Sequence, residues 1–90
     1  MSDLVATLTR DGHPLAADVP VELTIEPHDP EGTRWHGVLR VPPATPLALG
    51  QQCHLQFPDG RRGDMEVTRL AYGRRSELVR VFFRGRSRLA

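Results

Sequence analysis

Apolar and polar residues alternate along most of this chain with a period of two, and eight prolines and eight glycines interrupt the pattern over 90 residues. Successive side chains of a strand point to opposite faces, so this alternation describes strands with one buried and one wet face. Apolar residues at every third or fourth position, the signature of an amphipathic helix, are nearly absent. Proline and glycine recurring about every ten residues cut the chain into short strands joined by turns. The chain is therefore expected to be all-β, with no significant helix.

Six strands follow from the pattern. The first, Asp3–Thr9, sets Leu4, Ala6 and Leu8 on one face, and Arg10-Asp11-Gly12-His13-Pro14 reads as its turn. The second, Val19–Glu26, sets Val19, Val21, Leu23 and Ile25 inward, with Pro20 implying an edge or the start of a strand because it cannot donate to a ladder. The third, Thr33–Val41, buries Trp35, Leu39 and Val41, and Gly37 in its middle marks a bulge, a bend or the close approach of another backbone. Three prolines in 42–50 rule out a helix interior there, and Leu47 and Leu49 are expected to plug one end of the core. The fourth strand, Gln51–Phe57, turns Cys53, Leu55 and Phe57 inward and Gln52, His54 and Gln56 outward.

Pro58-Asp59-Gly60-Arg61 is a hairpin signal. Keeping both inner faces together calls for a five-residue loop, 58–62, which sets Phe57 against Gly63, Leu55 against Met65 and Cys53 against Val67. The fifth strand, Gly63–Tyr72, starts with Met65 and Val67 inward and ends with Leu70 and Tyr72 inward, so its parity changes at Thr68–Arg69 and a bulge is expected there. After a turn at 73–76, the sixth strand, Glu77–Gly85, points Val79, Val81 and Phe83 inward and Arg80, Phe82 and Arg84 outward. Residues 86–90 read as a frayed tail. Six short antiparallel strands with one apolar face each call for a small barrel or a compact sandwich in a single domain, residues 1–90; the barrel is the expected fold, since closure also removes exposed edges.

Few chemistries are compatible with this inventory. No Gly-x-Ser-x-Gly elbow, His-Glu-x-x-His helix or phosphate-cradling glycine loop occurs, so no enzyme is expected. Cys53 and His54 are neighbours on a strand and face opposite sides, which prevents them from acting as nucleophile and base. The single cysteine excludes a disulfide scaffold and a multi-cysteine zinc site, and reads as a small core residue. His28 and His36 with Asp29 and Glu31 have the chemistry of a metal site, but surface histidines in a polar loop are the commoner arrangement, so no metal or cofactor is expected. Arg62-Gly63-Asp64 spells an adhesion tripeptide inside a strand where it already has structural work. No apolar run spans a bilayer and no leader pattern opens the chain, so the expected location is cytoplasmic with no membrane partner.

Charge is the remaining lead. Residues 67–90 carry seven arginines against one carboxylate, whereas residues 1–50 carry seven carboxylates against three arginines. All twelve basic residues are arginine, the composition of a GC-rich bacterial genome, so the choice of cation alone says little. Its placement says more. Arg80, Phe82 and Arg84 share the outer face of one strand, and Arg74 and Arg75 lie at the far end of the same hairpin. Arginine and aromatic residues are enriched at protein-contact hot spots. The same pair of residue types stacks bases between phosphates in single-strand binders. The blander role is an exposed cross-strand ion pair between Glu66 and Arg84. Protein contact or self-association through Arg80, Phe82 and Arg84, supported by Arg74 and Arg75, is the expected function; nucleic-acid or nucleotide binding by the same arginines is the alternative. A semi-polar patch suited to dimerisation would form if the Gln52-His54-Gln56 stripe lay beside the Phe82 stripe.

The second half, from the Leu49-Gly50 step into Gln51–Phe57, through Asp59-Gly60 and the strand around Val67, to Val79-Arg80-Val81-Phe82-Phe83, resembles PilZ-type barrels. The resemblance implies a split-barrel-like architecture. It does not carry over cyclic di-GMP binding, because the Arg-x-x-x-Arg pair and the Asp/Asn-x-Ser-x-x-Gly turn of the binding members have no counterpart here.

Overall fold

A computed structural model describes residues 4–28, 30–74 and 78–90. They form six strands: β1 (Val5–Arg10), β2 (His13–Ile25), β3 (Trp35–Val41), β4 (Gln52–Gln56), β5 (Arg62–Ala71) and β6 (Val79–Gly85). Each strand is antiparallel to its neighbours, and they close into a barrel in the order β1-β2-β3-β6-β5-β4. No helix occurs among the described residues, and none is long and apolar enough to cross a membrane.

The alternation read from the sequence produces the core. Ala6, Leu8, Val19, Val21, Trp35, Leu39, Val41, Cys53, Leu55, Phe57, Met65, Val67, Val79, Val81 and Phe83 are all buried, and no polar or charged side chain among the described residues joins them. Trp35 and Phe83 meet edge to face with their ring centres 6.0 Å apart. Gly37 sits where β2 and β3 press together, and a β-carbon there would collide with the Glu22 carbonyl. The bulge falls where the parity change required it: Val67 pairs with Phe83 but Arg69 pairs with Phe82, leaving Thr68 as the extra residue.

Several expectations are corrected. The first hairpin is tighter than the five-residue turn expected. Asp11 (φ 51°) and Gly12 (φ 79°) form a two-residue turn with both backbones left-handed, so β2 starts at His13 rather than Val19. Register shifts either side of Leu8 absorb Pro14 in the longer strand. Pro20 is not at an edge. It lies where β2 leaves Val5 of β1 and picks up Leu39 of β3 at Val21, a point of exchange between two ladders.

The β4–β5 loop is shorter by two residues than expected. Phe57 N–H donates to the Arg61 carbonyl and Gly60 N–H to the Phe57 carbonyl, with Gly60 at φ 95°. This three-residue loop moves the register so that Cys53 faces Met65 and Leu55 faces Gly63. Parity is unchanged, so the inner faces stay as read. Phe57 packs under Arg61, 5.5 Å from the guanidinium, and Gly63 lies beneath Trp35 instead of Phe57.

Three residues expected inside are exposed. Ile25 keeps inward parity opposite Trp35 but ends β2 at the rim, Leu49 is 67% exposed, and Tyr72 is 70% exposed just past the end of β5. Only Leu47 of the proline-rich connection packs on the core. The tail is also not frayed. Arg62 and Ala90 exchange a pair of backbone hydrogen bonds, Leu89 N–H donates to Gly32, and Trp35 Nε1 donates to the Ser87 carbonyl at 2.8 Å.

Candidate functional site

Strand order brings together residues that the sequence keeps apart. β6 lies between β3 and β5, so each outward residue of β6 has a neighbour on both sides. Arg80 faces Arg40 and Ala71, Phe82 faces Val38 and Arg69, and Arg84 faces His36 and Glu66. The candidate site is therefore a face three strands wide.

The three rows of this face differ in charge. In the first, Arg40 and Arg80 are directly opposite and both exposed, and neither forms an ion pair among the described residues. In the second, Phe82 is half-buried, with the Arg69 guanidinium 5.2 Å from its ring centre. That contact is a cation–π pair, and it leaves the charge of Arg69 on the surface. In the third, Glu66 accepts from Arg84 Nη2 at 3.2 Å and lies 3.6 Å from Arg86 Nε. The cross-strand ion pair read from the sequence is present, and Arg86 extends it.

Beside Phe82 the surface dips into an open groove lined by Val38, His36, Thr68, Glu22, Thr24 and Arg84. Gly37 also lines it, where a β-carbon would meet the Glu22 carbonyl. Its lining mixes apolar side chains, Val38, Phe82 and Phe83, with polar ones.

Of the expected site residues, Arg80, Phe82 and Arg84 share the face as read. Arg74 is exposed in the turn between β5 and β6, and Arg75 lies outside the described residues. Arg40, Val38 and Arg69 belong to the face but were not singled out from the sequence. Their outward parity was readable; their adjacency to β6 requires the strand order.

The other candidates take structural roles. Trp35 is buried as read, and β5 separates the β4 stripe from β6, so the semi-polar patch does not form. His54 Nδ1 lies 3.0 Å from Asp64 Oδ1, and the Asp64 N–H donates to Ser87 Oγ. Arg62-Gly63-Asp64 is consumed by these contacts: Arg62 pairs with the tail, Gly63 underlies Trp35, and Asp64 bridges β4 to Ser87. Cys53 faces the core, where burial pushes its thiol pKa up, away from a reactive thiolate. Among the described residues no three His, Cys, Asp or Glu side chains gather to hold a metal ion; Asp29 lies outside them.

Comparison with protein-family models, with curated proteins and with solved structures finds no match. The resemblance to PilZ-type barrels stands on the quoted residues alone.

Proposed function

We propose that the chain is a non-catalytic contact module of the bacterial cytoplasm. It holds another protein chain against the outer face of β3, β6 and β5. The observation that carries the reading is the row Val38–Phe82–Arg69 with Arg40–Arg80 beside it: a half-buried aromatic with one guanidinium over its ring and two more in the next row. Interfaces concentrate their energy in such Arg and aromatic anchors. A closed barrel has no strand edge to lend, so contact must be made through side chains. The lone cysteine, buried and unpaired, suits a reducing compartment.

The test is a peptide-display selection against the full chain, with light scattering over a concentration series to read self-association. The expected result is a set of bound sequences, or an association, that Phe82→Ala and Arg80→Ala both weaken. Binders indifferent to both substitutions would overturn the assignment to this face.

A further inference from the structure

We propose that the partner segment is acidic, with its carboxylates seated on Arg40 and Arg80 and an apolar neighbour in the groove beside Phe82. This rests on the contact reading above and specifies the chemistry of the partner.

Arg40 and Arg80 are the starting point. They oppose each other in the β3–β6 ladder, and like charges directly opposite destabilise a sheet. Arg69 adds a third guanidinium one row away, held in place by Phe82. The one carboxylate on β5 within the face, Glu66, is already engaged by Arg84 and Arg86. Nothing among the described residues neutralises the Arg40–Arg80 pair. An incoming carboxylate does, and the planar guanidinium fork binds carboxylate through two parallel N–H donors. The groove then receives an apolar side chain against Val38 and Phe82.

The same geometry disfavours the other occupants. An extended polyphosphate tracking across the face meets Glu22 on one flank and Glu66 on the other. The Arg69 guanidinium lies 5.2 Å from the ring centre of Phe82, the aromatic of the face, and competes with a base for that ring. A second copy turned face to face about an axis between β3 and β6 would set Arg40 against Arg80 again. A compact pair of carboxylates avoids all three conflicts.

The experiment is fluorescence anisotropy with the full chain and three labelled probes at low salt. The probes are a short peptide of alternating glutamate and leucine, its lysine counterpart, and a thymidine oligonucleotide. The acidic peptide is expected to bind and the lysine peptide is not. Replacing both arginines (Arg40→Gln with Arg80→Gln) is expected to weaken binding by about tenfold or more. A thermal melt of that variant shows whether it is folded, and relief of the like-charge contact is expected to raise its Tm by a few degrees. Acidic-peptide binding that survives the double substitution would overturn the proposal. So would failure of the acidic peptide to bind while display-selected sequences still depend on Phe82, an outcome that leaves the contact reading intact. Tighter binding of the oligonucleotide than of the acidic peptide would overturn both.

Discussion

The indole of Trp35 lies so close against Gly85 that a β-carbon at position 85 would overlap the ring, and the same indole donates its Nε1–H to Ser87 two residues further on. One aromatic thus sets both the missing side chain at the end of β6 and the path of the chain beyond it. Gly63 on β5 is held to the same condition from the other side.

Gly85→Ala should therefore act as an overpacking substitution. The expected cost is about 1–3 kcal/mol, because the nearest atoms belong to a rigid ring in the core rather than to a flexible side chain. Urea denaturation reads it directly. A wild-type midpoint for the variant would mean that the indole can move aside.

Deleting residues 86–90 should destabilise the barrel, although the segment forms no strand. Trp35 Nε1–H, the Arg62 N–H and the Asp64 carbonyl all lose their partners. Of these, only the indole N–H belongs to a buried residue, and a buried donor left unsatisfied costs about 1–3 kcal/mol. The deletion should lower Tm and move tryptophan emission to the red. An unchanged melt and spectrum would show the tail to be dispensable.

Cys53 should resist thiol reagents in the native state. Its side chain is buried among Leu55, Met65 and the rest of the core, and burial holds the thiol protonated. Modification by a disulfide reagent should proceed at the rate of unfolding and become fast in denaturant. Rapid labelling of the folded protein would contradict the packing described.

Asp59 should contribute to stability in a pH-dependent way. Its carboxylate accepts from the Arg61 N–H at 3.0 Å and from Arg61 Nε at 2.8 Å, and the backbone hydrogen bond is the main cause of a pKa below the ordinary carboxylate range. A depressed folded pKa means that the unfolded chain takes up the proton first. The contribution is therefore present in full above the ordinary carboxylate range and is lost as pH falls through the folded value. Asp59→Asn should lower stability slightly in the neutral region, leave the acid end nearly unchanged, and so flatten the acid limb of the profile. An acid limb identical to wild type would remove Asp59 from the account.

Much of this architecture was legible in the residues. Alternation named the inward face of every strand, and the parity break at Thr68–Arg69 located a bulge without any knowledge of partners. What parity cannot give is register. A three-residue and a five-residue loop after Phe57 keep the same faces inward, and the choice turned on the left-handed backbone of Gly60 and on Asp59 holding Arg61. Rims were misread for a related reason. Ile25 and Tyr72 have inward parity, but they stand where the barrel ends and nothing covers them. The tail was missed because its partners, Gly32, Trp35, Arg62 and Asp64, are distant in sequence. The candidate face was half legible. The sequence displayed Arg80, Phe82 and Arg84 along one strand; placing β3 beside β6 was needed to add Arg40 and Val38.

The most direct test of that face is a two-dimensional amide NMR titration of the full, isotope-labelled chain with the glutamate–leucine peptide. The expected shifts cluster on Val38, Arg40, Arg69, Arg80 and Phe82, while β1 and β4 across the barrel stay still. Shifts centred on β1 and β4, or none at concentrations where the peptide saturates a binding assay, would contradict the account.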